Sequence, residues 1–369
     1  MNKHALAISI LHGVLFSVCF GQPSNWKNNL YFEGSLHYGF VTPHTEYISY
    51  FIKDHVTGYQ LNVGILTKGE KLWHQSYNYP KIGIGFYHSG LGNDLVYGKM
   101  TSVYAYVDRS FIKGNPRFNF GNDINFGIGY ISKHYDIEKN SFDEAIGSKF
   151  NVFINYNLNG TARITSNTFL KLGLGVMHAS NGNYQEPNKG INLFTAFAGF
   201  RYIINKPLPE EYIHSPEPKN LKRNYVLVMG AFGRKQLSEQ FSEKYIPVAF
   251  SLEYSREVRQ TSLVGSSLNV YYDPTLKRKL ELENDSSSGN NMLRVSLNLS
   301  YELQMGRLSY VIQPGIYLKN PYPKSGIINN RIGLRYQISP RLVAGITIKA
   351  HWTAIADFIE WGIGYRWKY

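Results

Sequence analysis

Alternation of apolar residues with polar or small ones runs along this chain from Tyr31 to the C-terminus, in segments of about ten residues separated by turn-rich gaps. A period of two is typical of β-strands, because successive side chains of a strand point to opposite faces. The pattern predicts an all-β protein of about sixteen strands, give or take two. The predicted strands are 33–42, 56–67, 81–87, 98–110, 118–131, 148–159, 168–180, 191–203, 225–234, 246–255, 262–272, 292–303, 307–318, 327–338, 341–352 and 356–369.

The last segment indicates what surrounds the strands. Its two faces differ, because Ile359, Trp361, Ile363, Tyr365, Trp367 and Tyr369 alternate with Glu360, Gly362, Gly364, Arg366 and Lys368. A soluble β-sandwich has little reason to place charge inward and aromatic residues outward, whereas strands of outer-membrane barrels do so. The segment therefore predicts an antiparallel transmembrane β-barrel.

The composition agrees with a barrel. Aromatic residues make up 15% of the chain, with 29 Tyr, 21 Phe and 5 Trp, and there are 34 Gly. Each strand of a membrane barrel needs only about half its residues on the lipid side, with aromatic girdles at both interfaces. No apolar run of about 18 residues follows the N-terminal stretch, so a helical membrane protein is not expected.

The first 21 residues have the features of a secretory signal peptide. Lys3 precedes a mainly apolar stretch from Ala5 to Phe20, followed by the small residue Gly21. The single cysteine, Cys19, lies inside this stretch. We therefore expect a mature protein without a thiol, exported to the outer membrane of a Gram-negative bacterium. The missing thiol excludes disulfides, thiolate metal sites and cysteine catalysis.

The formal net charge of +13 indicates a basic surface. Such a surface suits the anionic head groups of lipids. Nucleic acid is the other usual partner of a basic chain, but an exported protein seldom meets it. We therefore expect a membrane and a lipid substrate as partners and no nucleic acid.

A charged, Pro-rich connection at 204–223 divides the predicted strands eight and eight. It separates a first strand-rich segment, 22–203, from a second one, 224–369. One continuous barrel of 14–16 strands is the favoured architecture, and two tandem eight-stranded barrels are the alternative. The single barrel would enclose a wide polar lumen suited to a channel, whereas small barrels are filled by side chains.

The candidate site is the run His178-Ala179-Ser180-Asn181-Gly182, which closes a predicted strand. His178 and Ser180 continue the face that carries Leu172, Leu174 and Val176, so their side chains can meet. The returning strand places Asn192 on the same apolar face. A serine needs a neighbouring base to become a nucleophile, which makes this end of the hairpin a candidate active site.

The same run, followed by Pro187-Asn188-Lys189-Gly190-Ile191-Asn192, resembles the signature of the outer-membrane lipid A 3-O-deacylase family. The resemblance is closer to its acyloxyacyl hydrolase branch from Bacteroidetes, which has a similar length and a similar ending, here Lys349-Ala350-His351 and Ala356–Gly362. The family implies a serine esterase that removes a fatty acyl chain from lipid A. By resemblance, Ser180 is the nucleophile, His178 the general base, and the Asn181 side chain with the Gly182 N–H the oxyanion hole.

The third position of the catalytic triad departs from the family. Characterised deacylases have a glutamate fourteen residues after the histidine, where this chain has Asn192. Outer-membrane phospholipase A has the same His-x-Ser-Asn-Gly run with an asparagine at that spacing. The substrate can therefore be lipid A or a glycerophospholipid. A third alternative is a non-catalytic barrel that keeps the motif only by descent. No cofactor is expected, except calcium if the protein is a phospholipase A. The oligomeric state and the acyl position cleaved are left open.

Three other groups of residues are weaker candidates. His88-Ser89 cannot act as a pair, because adjacent strand residues point to opposite faces. His351, Asp357 and Glu360 form a second polar site or, as we favour, are groups satisfied by interior charges. The basic side chains of Lys277, Arg278 and Lys279 either bind lipid phosphates or belong to a solvated loop.

Overall fold

The computed structural model describes residues 29–113, 117–215, 223–283, 292–352 and 355–369. The predicted signal peptide, 1–21, lies outside these residues. Most of the described chain is β-strand, and the strands form two closed antiparallel barrels of eight strands each.

Barrel one consists of eight strands in sequence order, with the eighth paired to the first. Its strands are β1 (Leu30–Val41), β2 (Val56–Leu66), β3 (Lys81–Gly90), β4 (Lys99–Ser110), β5 (Phe118–Ile131), β6 (Phe150–Arg163), β7 (Thr168–Ser180) and β8 (Ile191–Ile203). The connections β1–β2, β3–β4, β5–β6 and β7–β8 all lie at one end of the barrel, because consecutive strands are antiparallel.

Barrel two begins with β9 (Asn224–Phe232), which pairs with the last strand of the chain. A small separate hairpin follows, formed by β10 (Lys235–Gln236) and β11 (Lys244–Tyr245). The remaining wall strands are β12 (Val248–Arg259), β13 (Ser262–Tyr272), β14 (Leu293–Met305), β15 (Leu308–Lys319), β16 (Ile328–Gln337), β17 (Leu342–His351) and β18 (Ile355–Lys368).

Short helices lie in the connections. These are α1 (Glu46–Phe51), α2 (Leu72–Ser76) and α3 (Thr275–Leu282), with single 3₁₀ turns at Pro209–Glu211 and Pro323–Ser325. The Thr45 side chain caps α1 by accepting a hydrogen bond from the backbone N–H of Ile48. None of the helices in these described ranges is long and apolar enough to cross a membrane.

Strand pairing decides between the two predicted architectures. β1 pairs with β8 from Tyr31 opposite Ile203 to Val41 opposite Leu193. β9 pairs with β18 in the same way. Each set of eight strands therefore closes on itself, so the tandem alternative is confirmed and the favoured single barrel of 14–16 strands is wrong. Consecutive hairpins look the same in both architectures, which is why the strand pattern did not separate them.

The two faces of each strand differ as the alternation predicts. In β7, Leu172, Leu174 and Val176 point outward and are about half exposed, whereas Lys171 and Met177 are buried inside. The same alternation places Trp361 of β18 outside and Glu360 inside. An outward apolar surface around a polar interior is typical of transmembrane barrels.

Ion pairs fill the interior of barrel one. Lys171 Nζ lies 2.9 Å from Glu33 Oε1 and 3.0 Å from Asp123 Oδ2. Arg201 Nε donates to Glu33 Oε2 over 2.8 Å, and its guanidinium also pairs with Asp108. These groups sit on five different strands, so the ion pairs tie opposite walls together.

Barrel two has a comparable interior built from other residues. Arg335 lies 2.6 Å from Glu253 and 2.9 Å from Glu302, and Arg366 lies 2.7 Å from Glu302. Arg331 pairs separately with Glu360 over 2.6 Å. Eight-stranded barrels have room for such side chains and little else.

We expect Lys171→Met to destabilise barrel one. The variant leaves Glu33 and Asp123 without their shared ammonium group, and removing one partner of a buried ion pair costs about 3–5 kcal/mol. Urea unfolding of the protein in detergent micelles measures the change in the free energy of unfolding. Lys53→Met, at an exposed loop residue, serves as the control. Equal unfolding midpoints for the two variants would contradict this role of Lys171.

Candidate active site

The hairpin β7–β8 brings three of the predicted site residues together. His178 and Asn192 are direct partners in the register of the two strands, and both point outward. Ser180 lies two residues beyond His178 on the same face, so the histidine stands between the serine and the asparagine.

The three side chains form a continuous chain of hydrogen bonds. His178 Nδ1 donates to Asn192 Oδ1 over 2.7 Å, and Ser180 Oγ donates to His178 Nε2 over 2.9 Å. Because Nδ1 holds its proton against the amide oxygen, Nε2 is left as an acceptor. This arrangement can take the proton of the serine as its oxygen becomes a nucleophile.

The site lies where the outward apolar surface ends. Ser180 is only 3% exposed and Asn181 is 4% exposed, whereas Val176 on the same strand is 53% exposed. Gly182 follows with a positive φ of 60°, so the chain turns sharply directly after the serine.

Gly190 is a site residue whose function the sequence did not reveal. Its φ is 77°, and a Cβ at this position would lie 2.8 Å from His178 Cε1 and 3.4 Å from Ser180 Cβ. Its N–H donates to the carbonyl of Ala145 over 2.8 Å. A glycine is therefore required here, because any side chain would press on the imidazole.

His44 is a second residue that sequence reasoning missed. Its Nδ1 lies 3.5 Å from Nδ2 of Asn192, on the far side of the amide from His178. Partial burial and the ammonium of Lys189 lower the pKa of His44, although a hydrogen bond that the imidazole donates to the backbone carbonyl of Lys189 opposes them. A neutral imidazole can accept from the amide N–H₂ and so favours the orientation in which Oδ1 faces His178.

The connection between β5 and β6 contacts the site through Gly190. Asp143 Oδ1 accepts hydrogen bonds from the N–H groups of Ala145 and Ile146, each over 3.0 Å, and so shapes the turn that presents the Ala145 carbonyl to Gly190. The Asp143 carboxyl is fully buried, and this burial raises its pKa to about 7.

We expect Asp143→Asn to stabilise the protein increasingly as pH rises. With a folded-state pKa above its ordinary value near 4, Asp143 binds its proton more tightly in the folded protein, so wild-type stability falls between about pH 4 and pH 7. Asparagine keeps the Oδ1 acceptor without the charge. Melting temperatures in detergent from pH 4 to 8 measure the effect. The gain of Asp143→Asn should widen up to about pH 7 and then level off.

The matched control is Asp54→Asn, which removes the charge of an exposed loop carboxylate. A difference between Asp143→Asn and the wild type that is constant across the pH range would contradict the raised pKa of Asp143.

The two weaker candidate groups that contain a histidine have other partners in the structure. Ser89 is buried inside barrel one, whereas His88 faces outward and bonds to Thr101 Oγ1 over 2.9 Å, so the two do not act together. Asp357 is enclosed by cations, among them Lys349 at 2.5 Å, and His351 lies 3.1 Å from it. Opposite charges thus satisfy these interior groups, as favoured above.

The basic run of α3 contains an ion pair of its own, between Arg278 and Glu281 at 3.4 Å. Among the residues that the structure describes, no three His, Cys, Asp or Glu side chains gather into a group able to hold a metal ion.

Comparison with protein families gives two matches. The family described as lipid A 3-O-deacylase (PagL) matches residues 57–201, and the family described as acyloxyacyl hydrolase, C-terminal domain, matches residues 224–369. No curated protein matches the chain.

Several solved barrels are similar at low identity. Neisserial surface protein A (NspA) is 11% identical, with 47% of this chain and 96% of that chain covered and a TM-score of 0.33. A mutant of the Rh. blastica porin is 11% identical, with coverage of 92% and 99% and a TM-score of 0.18. TM-scores this low add nothing to the strand pairing described above.

The two family matches extend over most of the chain, and the first of them includes His178, Ser180 and Asn192. Residues 57–201 therefore belong to the lipid A 3-O-deacylase family, whose members are carboxylic ester hydrolases, and residues 224–369 belong to the family of acyloxyacyl hydrolase C-terminal domains.

Proposed function

We propose that this protein is a serine esterase of the outer membrane that removes one fatty acyl chain from lipid A through an acyl-enzyme. The observation that carries the proposal is the hydrogen-bonded chain from Ser180 through His178 to Asn192. Membership of the lipid A 3-O-deacylase family supports the substrate.

In the first half of the reaction, Ser180 Oγ bonds to the carbonyl carbon of the ester while its proton passes to His178 Nε2. The tetrahedral intermediate then breaks the bond between that carbon and the alcohol oxygen of the ester, which leaves with the proton from His178. Water, deprotonated by the same nitrogen, releases the fatty acid and restores the serine.

Developing negative charge on the carbonyl oxygen requires fixed donors. We assign this role to the Asn181 side chain and the Gly182 N–H, which follow the nucleophile directly. Asn192 orients the imidazole through its Oδ1 but, as a neutral amide, does not stabilise the imidazolium as a carboxylate would.

The barrel surfaces support a location in the outer membrane. The outward apolar bands of both barrels suit the hydrocarbon core of a bilayer, and closed strand pairing leaves no unpaired edge. We propose export by a signal peptide at 1–21, followed by barrel segments 22–203 and 224–369 joined by the connection 204–223. The substrate's acyl chains can then remain in the lipid while the ester reaches Ser180.

A phospholipase A is the second candidate. The observation that favours it is Asn192, since outer-membrane phospholipase A has an asparagine at the same spacing. The two activities use the same three residues and differ in the lipid that supplies the ester.

We expect Ser180→Ala to lower kcat by about 10³-fold or more, because the nucleophile is lost. Mass spectrometry of a detergent mixture of lipid A and phosphatidylethanolamine, with calcium present, identifies the product. Loss of one acyl chain from lipid A alone supports the deacylase, and lyso-phospholipid identifies a phospholipase A. Ser89→Ala, inside barrel one, is the control and should retain wild-type activity. No serine-dependent product from either lipid would refute both enzymatic functions.

We expect Asn192→Leu to reduce kcat by roughly tenfold to a hundredfold, since the imidazole loses the acceptor that orients it. Asn192→Asp, which keeps an oxygen opposite His178 Nδ1, should retain most of the activity. Steady-state kinetics on the preferred lipid measures both variants. Phe194→Leu, two residues along the same face of β8, is the matched control. Equal rates for Asn192→Leu and this control would count against the role of Asn192.

A further inference from the structure

The hairpin β10–β11 takes no part in the wall of barrel two. The compact unit that contains it comprises Pro216–Tyr369 and also Gly182–Asn188. We call Gly182–Asn188 the loop segment. It begins two residues after Ser180, and Gly182 supplies one of the proposed oxyanion-hole donors. Its contacts within this unit indicate what the hairpin does.

Hydrogen bonds attach the backbone of the loop segment to the hairpin at three points. The carbonyl of Asn183 accepts from the N–H of Gln236 over 3.0 Å, and the N–H of Glu186 donates to Gln236 Oε1 over 3.2 Å. Lys244 Nζ donates to the carbonyl of Tyr184 over 2.7 Å. Backbone groups of a connection usually bond to water or to their own turn, so this pattern indicates a dedicated support.

The side chain of Tyr184 adds a fourth attachment. The guanidinium of Arg234 lies 5.6 Å from the centre of its ring, and Lys244 Nζ lies 5.1 Å from it. Both distances are those of cation–π contacts. Lys244 Nζ therefore contacts both the backbone carbonyl and the ring of Tyr184.

Gly182 is held in a different way. Its φ is 60°, and a Cβ at this position would collide with Cγ1 and Cδ1 of Ile359 on β18. The backbone of Gly182 thus packs directly on Ile359, an approach that only glycine allows. Contacts on four residues of the loop segment, Gly182, Asn183, Tyr184 and Glu186, therefore leave it little freedom to move.

The hairpin is itself firmly anchored. Lys235, which is buried, bonds to Asp273 over 2.7 Å and to Asp357 over 2.6 Å. The amide of Gln236 donates to the carbonyls of Ser238 and Phe241 over 2.9 Å and 2.7 Å, which braces the hairpin turn. Consecutive residues of β10 thus serve two purposes, one toward the barrel interior and one toward the loop segment.

We propose that the hairpin β10–β11, through Gln236 and Lys244, positions the loop segment so that the oxyanion-hole donors after Ser180 are held ready for the transition state. Gln236 and Lys244 are positioning residues in this proposal, since they touch neither the nucleophile nor the base. The proposal rests on the esterase function proposed above.

The physical reason lies in how an oxyanion hole works. Its donors stabilise developing charge only if they are already aimed at it, because reorientation during the reaction would cancel the gain. A loop without support would sample many backbone conformations. Losing the support should therefore slow the chemical step while substrate binding stays nearly constant.

The test compares Lys244→Met and Lys244→Arg with the wild type in the full-length protein. Lys324→Met is the matched control, because it removes an exposed lysine that pairs with Glu283 over 2.7 Å and does not contact the loop segment. Hydrogen–deuterium exchange of peptides covering 182–190 measures how well the backbone of the loop segment is protected, independently of activity. Steady-state kinetics on lipid A in micelles gives kcat and KM.

For Lys244→Met we expect exchange in the loop segment to rise about tenfold. We also expect kcat to fall about tenfold or more, while KM changes by less than about twofold. Lys244→Arg keeps a cation and a donor and should recover most of kcat. Lys324→Met should match the wild type in both measurements.

Unchanged exchange in Lys244→Met would overturn the proposal, because the hairpin would not be holding the loop. Faster exchange with wild-type kcat would overturn it equally, since the hold would have no catalytic effect. Failure of the esterase function is distinguishable, because the wild type would then give no product that depends on Ser180.

Discussion

Backbone hydrogen bonds between β1 and β8, and between β9 and β18, close the two sets of strands so that neither has an open edge. Eight closed strands enclose a space that side chains can fill, and this fixes what each face of a strand must carry. Many inward residues are polar and pair with one another, beside buried aromatic and aliphatic side chains such as Tyr104 and Met177. Outward residues form apolar bands. The position of the candidate site follows from the same closure, because it lies on the outer face of one hairpin.

The interior ion pairs further restrict how the strands of each barrel can be arranged. Lys171 and Arg201 pair with Glu33, Asp108 and Asp123 across barrel one. Charges removed from water are costly unless they are paired, so these contacts favour one arrangement of the strands over others with similar hairpins. A rigid wall is also what a site made from strand residues requires, since His178 and Asn192 must stay opposite each other.

Support from neighbouring connections is the second feature of the site. Gly190 approaches the imidazole closely and is bonded to Ala145, and His44 stands behind the amide of Asn192. The loop segment after Ser180 is held in turn by Gln236 and Lys244. A strand pair presents the proposed nucleophile and base, and connections hold the groups around them. Such supporting contacts give an active site its precision.

Local alternation alone predicts the strands and the central residues of the candidate site. The bounds 118–131, 168–180 and 191–203 match β5, β7 and β8, because strand alternation is local. The same period of two predicts that His178, Ser180 and Asn192 share one face of the hairpin. The folded chain adds three contacts that this pattern does not predict: β8 closes on β1, His44 lies beside Asn192, and a hairpin at 235–245 supports the loop segment. These contacts join residues far apart in the chain, such as Tyr31 and Ile203, and an alternating pattern carries no information about which distant strands will pair.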